Sequence, residues 1–259
     1  MSSSKGTSAT PTDAQRGDGL AIEYLTVSYG RAAIVSDLTV HIRRGEIVGL
    51  IGLNGSGKST LLRAVAGVID LFGGRIERGT IFFDSERASV RENSGATTIA
   101  FSPDGGRLFQ SLSVEDNVLA SLRSARTPAT REDARTILKK LLPRPPDLRK
   151  SGGELSGGER SLVSVARTLV SRAPCILLDE PAAGLAHSAK ANLASTLKQE
   201  ASIAGRCIFL SAHDLEWLDT FADRVLGIRE GSVSLDVRAS DERLSLLKEF
   251  VSSGKLSAH

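Results

Sequence analysis

Short apolar runs dominate the chain, some alternating with polar residues and some unbroken, each bounded by glycine-, proline- or charge-rich turns. Residues 20–29 and 38–42 alternate and read as two half-buried strands. Residues 46–51 (Glu-Ile-Val-Gly-Leu-Ile) are almost wholly apolar, the mark of a strand covered on both faces, and a helical run over 59–68 follows. After a Gly73-Gly74 turn, residues 75–84 read as another strand, and 99–102 as a short one ended by Pro103-Asp104-Gly105-Gly106. The period turns helical over 113–142, with Ser113, Glu115 and Asp116 as start signals and Pro143, Pro145 and Pro146 as breakers. A second helix covers 157–171, stopped by Pro174. Strands are expected at 175–178 and 207–211, and helices at 188–201 and 215–222. Residues 225–228 and 232–237 close as a hairpin about Glu230-Gly231, and 241–251 read as a short amphipathic helix. Residues 1–18, rich in Ser, Thr, Gly and Asp, are expected to be disordered.

Composition narrows the class. With 259 residues, 41% of them hydrophobic, the chain suits one large α/β domain or two small ones. No apolar run approaches the ~18 residues of a membrane span, and no signal peptide is recognisable, so a soluble chain is expected, one still able to dock on a membrane protein. A net charge of +3 without a Lys/Arg block, and 4% aromatic residues, give no reason to expect nucleic acid. Cys175 and Cys207 each open an apolar run and lack paired spacing. They read as small core residues rather than a metal or disulfide pair, and a reducing cytoplasm fits.

The chemistry concentrates at Gly52-Leu53-Asn54-Gly55-Ser56-Gly57-Lys58-Ser59, which fits G-x-x-x-x-G-K-[ST] between a strand and a helix. Glycines let the loop fold tightly round a polyphosphate and turn its N–H groups inward. Lys58 brings a point charge to the β and γ phosphates, and Ser59 a hydroxyl for Mg²⁺. The helix N-terminus adds partial positive charge. A second motif, Ile176-Leu177-Leu178-Asp179-Glu180, carries Asp179 to a strand end where it can hold Mg²⁺ directly or through water. Glu180 follows on the opposite side of an extended chain and faces the attacking water as general base.

The third motif is Leu155-Ser156-Gly157-Gly158-Glu159, about twenty residues before Asp179. With the other motifs in their order, residues 20–237 resemble ATP-binding-cassette (ABC) ATPases. The resemblance implies a P-loop α/β core with an antiparallel β subdomain and an inserted helical subdomain at about 110–172, an ABC ATPase domain over 19–237 and a short helical tail over 238–259. It also implies that Ser156, Gly157, Gly158 and Glu159 meet the γ-phosphate of ATP held by a second cassette. Ser151-Gly152-Gly153-Glu154 repeats the motif. The second copy opens the periodic helix, and the first is expected to be a flexible approach to it.

Other positions take family roles by the same resemblance. Tyr29 matches the adenine-stacking aromatic, and Asn54, Gly55, Ser56, Gly57, Lys58, Ser59 and Thr60 bind the phosphates. His213 matches the switch histidine that orients water at the γ-phosphate. Two positions depart from the pattern. Ala186 and His187 stand where the loop after Glu180 usually holds Asp. Asp104 stands where a Gln usually touches Mg²⁺ and water, Gln110 lying six residues too late; a carboxylate can still ligate the metal. The run Pro103-Asp104-Gly105-Gly106-Arg107-Leu108-Phe109 and Leu112–Val118 are similar to one ATPase subunit of branched-chain amino-acid importers.

The resemblance therefore implies an ATP hydrolase using ATP and Mg²⁺, a second ABC ATPase subunit, identical or paralogous, integral membrane permease subunits and an extracytoplasmic substrate-binding protein. It places the chain at the cytoplasmic face of the membrane. The alternatives are a soluble ABC ATPase of the cluster-assembly type and the cassette of a lipid or other exporter. One P-loop argues against two-cassette translation factors, the lack of a heptad run against DNA-maintenance members, and the lack of N-K-x-D against a GTPase.

Overall fold

The computed structural model describes residues 18–84, 86–87, 98–120, 129–142, 144 and 147–256. The segment expected to be disordered, save Asp18, and the three breaker prolines at 143, 145 and 146 lie outside the described residues.

Ten strands and seven α-helices form two sheets and their coverings among the described residues. Strands β1 (Gly19–Tyr29), β2 (Ala32–Arg43), β4 (Gly74–Phe83) and β5 (Glu86–Arg87) make a four-stranded antiparallel sheet in the order β2-β1-β4-β5. Strands β3 (Ile47–Ile51), β6 (Ile99–Ser102), β7 (Cys175–Leu178), β8 (Cys207–Ser211), β9 (Arg224–Arg229) and β10 (Ser232–Arg238) make a six-stranded sheet in the order β10-β9-β3-β8-β7-β6. Only its β9–β10 hairpin is antiparallel.

Side-chain alternation in the central strands builds both cores. Ile47, Ile51, Ile176, Leu178, Ile208 and Leu210 point to one, beside helices α4 (Gly157–Val170) and α5 (His187–Ser202). Val48, Leu50, Cys175, Leu177, Cys207 and Phe209 point to the other, against α1 (Lys58–Val65) and the antiparallel sheet. Continuous apolar runs thus mark strands sandwiched between two layers. The Cys175 and Cys207 thiols are free and fully buried, 3.7 Å apart on paired strands.

Several boundaries differ from expectation for local reasons. β2 begins six residues before the expected 38, because Asp37 takes a φ of +51° in a register shift that breaks the alternation. The expected helix over 113–142 is two helices, α2 (Val114–Leu119) and α3 (Arg131–Leu141). Thr130 starts the second with a reciprocal capping box to Asp133. α1 stops at Val65, ahead of Gly67 at φ +65°. An unexpected 3₁₀ turn, Ile69–Phe72, follows it. Helix α6 (Leu215–Asp219) is shorter than its expected span. The final helix α7 (Arg243–Leu256) is longer than expected and docks through buried Leu247 and through Arg243, which bonds Asp219 and the Ala222 carbonyl.

Candidate functional site

β3 is central in its sheet, and the loop leaving its C-terminal end is where ligands bind in open α/β sheets. The loop turns through residues 52–57 into α1. Gly57 caps the helix at φ +108°, and a Cβ there would stand 2.9 Å from the Ile34 carbonyl oxygen, so only glycine fits. No side chain caps this helix end, which leaves its first amides aimed at the loop. Lys58 is buried, and its Nζ donates to the carbonyls of Gly52 (2.8 Å) and Leu53 (3.2 Å). Burial lowers its pKa, against the pull of the Glu180 and Asp179 carboxylates.

Around this loop lies a cavity of about 560 Å³, within the range of small-ligand sites. Residues 54–60 line it together with Tyr29, Asp104, Glu180 and His213. One chain thus gathers the expected adenine contact, phosphate loop, base and switch histidine. Asp179 is buried at the end of β7. Its Oδ1 accepts from Ser59 Oγ at 3.0 Å and from Ser211 Oγ at 2.7 Å. Its Oδ2 is buried with no hydrogen-bond partner among the described residues. A hydroxyl beside an unsatisfied carboxylate oxygen is a hard-donor pair that fits Mg²⁺, an ion that otherwise keeps water and substrate phosphates.

Glu180 departs from expectation in how it reaches the cavity. It is not extended; it takes φ +49°, a costly region for a non-glycine residue. Ser211 holds that turn, its Oγ accepting from the Glu180 N–H at 2.9 Å. Burial pushes the Glu180 carboxyl up to about 7; Lys58 opposes this, while Asp179 and Asp104 add to it. Glu180 Oε1 lies 3.3 Å from His213 Nε2 but without hydrogen-bond geometry. Partial desolvation of the ring, then Lys58, lowers the His213 pKa, which favours the neutral imidazole over an ion pair with Glu180.

The sign of the Glu180 shift gives a test. A carboxyl whose folded pKa exceeds its unfolded value stabilises the fold fully below about 4.5 and loses that contribution as pH rises through about 7. In the nucleotide-free protein, Glu180→Gln should therefore gain melting temperature over wild type progressively across that window and hold the gain above it. A difference independent of pH would contradict the burial of this carboxylate.

The signature residues lie elsewhere. Ser156, Gly157, Gly158 and Glu159 line a second cavity of about 900 Å³, with Gly184, Leu185 and Ala186, sharing Asp104 and Glu180 with the first. Ser156 caps α4: its Oγ accepts from the Glu159 N–H, and the Glu159 carboxylate accepts from the Ser156 N–H at 2.8 Å. Hydrogen bonding from the Ser156 backbone N–H, and secondarily from the Ser156 side chain, holds the Glu159 pKa below the usual carboxylate range. Glu159 is thus engaged in shaping the turn that presents Gly157. Ala186 sits at the N-cap of α5 without a capping side chain.

The first motif copy is not the flexible approach expected. Ser151 caps a 3₁₀ turn, Gly152–Glu154, with the same reciprocal box. The Gly152 and Gly153 amides donate to Leu112 and Gln110 carbonyls, so they are spent within the fold. That turn holds no open anion site, whereas Gly157 is exposed at a helix start.

Three residues that sequence reasoning missed belong to this region. Ser211 follows from strand pairing, since Leu178 pairs with Leu210. Arg63 stands one helical turn after Ser59 on the same face and lines the first cavity. Phe72, also in the lining, had no sequence signal.

Known proteins resemble this chain over most of its length. Residues 35–183 match the family model described as ABC transporter. The phosphonates import ATP-binding protein PhnC of Frankia casuarinae is 34% identical over 230 residues, spanning 85% of this chain and 90% of that protein. The high-affinity branched-chain amino acid transport ATP-binding protein BraG of Pseudomonas aeruginosa is 30% identical, spanning 83% of this chain and 90% of that one. Among solved structures, the ATP binding subunit of an ABC transporter has a TM-score of 0.76 at 23% identity, covering 92% of this chain and 99% of that chain. The dimeric post-hydrolysis cassette MJ0796 bound to ADP and Pi has a TM-score of 0.74 at 22% identity, covering 85% and 99%. At these identities the solved structures speak for the fold alone.

Proposed function

This chain belongs to the ABC transporter family as an ATP-binding, ATP-hydrolysing subunit, and from that premise we propose that it pairs head to tail with a second cassette to energise an importer. The observation that carries this is that the two half-sites line different cavities of the chain: Lys58 lines one and Ser156 the other, with Asp104 and Glu180 common to both, and a second copy would bring its own signature turn to the Lys58 cavity. In the pair, Tyr29 stacks on adenine, and the loop from Asn54 to Thr60, with the α1 N-terminus, holds the phosphates. The partner's signature turn covers the γ-phosphate. Glu180 takes the proton of the attacking water, and His213 orients that water. Ser59 and Asp179 would hold Mg²⁺, which neutralises charge on the transferring phosphoryl group. Release of phosphate removes contacts that only the closed state makes, and the pair reopens.

A peripheral position at the cytoplasmic face of the membrane, on permease subunits, follows from this role. Among the described residues no helix is long and apolar enough to cross a membrane. Relatives named for phosphonate and for branched-chain amino-acid transport differ in cargo. Within that range, Asp104 in its Pro103–Phe109 setting favours an importer of the branched-chain amino-acid type, served by an extracytoplasmic binding protein.

Affinity purification of the tagged chain from detergent-solubilised membranes of its own host should recover a multi-span membrane subunit. Recovery of the chain alone from the soluble fraction would instead favour the cluster-assembly reading. Deleting the chain should abolish uptake of labelled leucine, isoleucine or valine. Intact uptake of all three would remove the cargo assignment and leave the ATPase reading standing.

A further inference from the structure

Phe72 carries two arginines on one ring. The Arg63 guanidinium carbon lies 4.3 Å from the ring centroid and that of Arg107 lies 5.6 Å from it, both within cation–π range. The two arginines come from different parts of the machinery. Arg63 is on α1, one turn beyond Ser59, and Arg107 is three residues past Asp104. Arg63 and Phe72 line the nucleotide cavity, as does Asp104. The Nε of Arg63 is buried and has no hydrogen-bond partner among the described residues, and the guanidinium lies over the Phe72 ring.

The far side of the same loop is pinned independently. Gly106 takes φ +54°, and a Cβ there would stand 2.5 Å from the backbone of Arg160, in the first turns of α4. Arg167, further along α4, donates to the Arg107 carbonyl at 2.9 Å. The loop from Asp104 to Arg107 is thus tied to the signature helix through its backbone and to the P-loop helix through side chains. Asp104 itself is exposed and has no side-chain hydrogen bond among the described residues, so its place at the cavity rim depends on these ties.

We propose that the Arg63–Phe72–Arg107 stack is a positioning unit that fixes the Asp104 loop against the P-loop helix, and so holds the Asp104 carboxylate beside Glu180 and His213 for hydrolysis. The proposal rests on the ATPase reading given above. Phe72 and the arginines are positioning residues; they act through Asp104.

The test uses the full chain, four single variants (Phe72→Ala, Phe72→Tyr, Arg107→Ala and Asp104→Ala) and the double variant Phe72→Ala/Asp104→Ala. Phe72→Ala and Arg107→Ala should lower kcat for ATP by up to about 100-fold, the scale of an ångström-sized misplacement. KM should change little, which separates positioning from binding. Phe72→Tyr, which keeps the ring, should restore kcat. Added to Asp104→Ala, Phe72→Ala should cost nothing further, since both act at one group. Amide hydrogen exchange supplies a readout independent of turnover: residues 103–108 should exchange faster in Phe72→Ala while α1 keeps its protection. Arg107 is exposed, so Arg107→Ala keeps the test open should Phe72→Ala unfold. Additive losses in the double variant, or unchanged exchange over 103–108, would overturn the proposal. A wild-type chain that neither binds a fluorescent ATP analogue nor hydrolyses ATP would instead overturn the reading on which it rests.

Discussion

Lys58→Ala is expected to abolish tight ATP binding while leaving the fold in place. Lys58 is buried at the floor of the cavity, where a charge interacts far more strongly than at the surface. Its two hydrogen bonds go to carbonyls of its own loop, so the ammonium both shapes the loop and supplies its point charge. Truncating one member of a buried, hydrogen-bonded charge pair costs about 2–5 kcal/mol of binding. That corresponds to roughly 30-fold to several-thousand-fold in affinity. Titration with a fluorescent ATP analogue measures the loss, and circular dichroism checks the fold. Lys58→Met separates the two contributions, because it keeps the stem that fills the loop and removes the charge. Should both variants bind ATP as wild type does, the phosphate cradle lies elsewhere.

The features legible in the sequence were those written locally. The P-loop, the strand carrying Asp179 and the signature turn each occupy a short run whose glycines, hydroxyls and carboxylates fix their own geometry. The strands of the central sheet were legible because burial on both faces leaves unbroken apolar runs. What escaped depends on chain parts far apart in sequence. Ser211 supports Asp179 and Glu180 only because β7 and β8 are neighbours, thirty-odd residues apart in the chain. Phe72 joins the cavity because a 3₁₀ turn folds back beneath it. The β2 start was hidden by a single residue: Asp37 at positive φ shifts the register, and the apolar alternation restarts on the other side of it. The conformation of Glu180 was misread for a related reason. Alternation predicts an extended residue after Asp179, but the Ser211 hydroxyl bonds the Glu180 amide and the chain turns sharply instead.

That turn makes Glu180→Gln the sharpest test of the catalytic assignment. Glutamine matches glutamate in size and leaves the backbone N–H to Ser211 untouched, so the strained turn should survive. What it removes is a carboxylate able to accept a proton. The loss of a general base lowers turnover by about 10²–10⁴. ATP binding should persist or tighten, because a negative group leaves a cavity that receives a polyphosphate next to Lys58. Slow hydrolysis with intact binding leaves the closed pair as the resting state. Light scattering should then find a dimer of Glu180→Gln in ATP and a monomer in ADP. His213 is poorly placed to replace the base: it is exposed, and loss of the Glu180 charge takes away the acidic group nearest its Nε2. Turnover at the wild-type rate would move the base to another residue. A slow variant that stays monomeric in ATP would leave the base where it is and refute the head-to-tail pair.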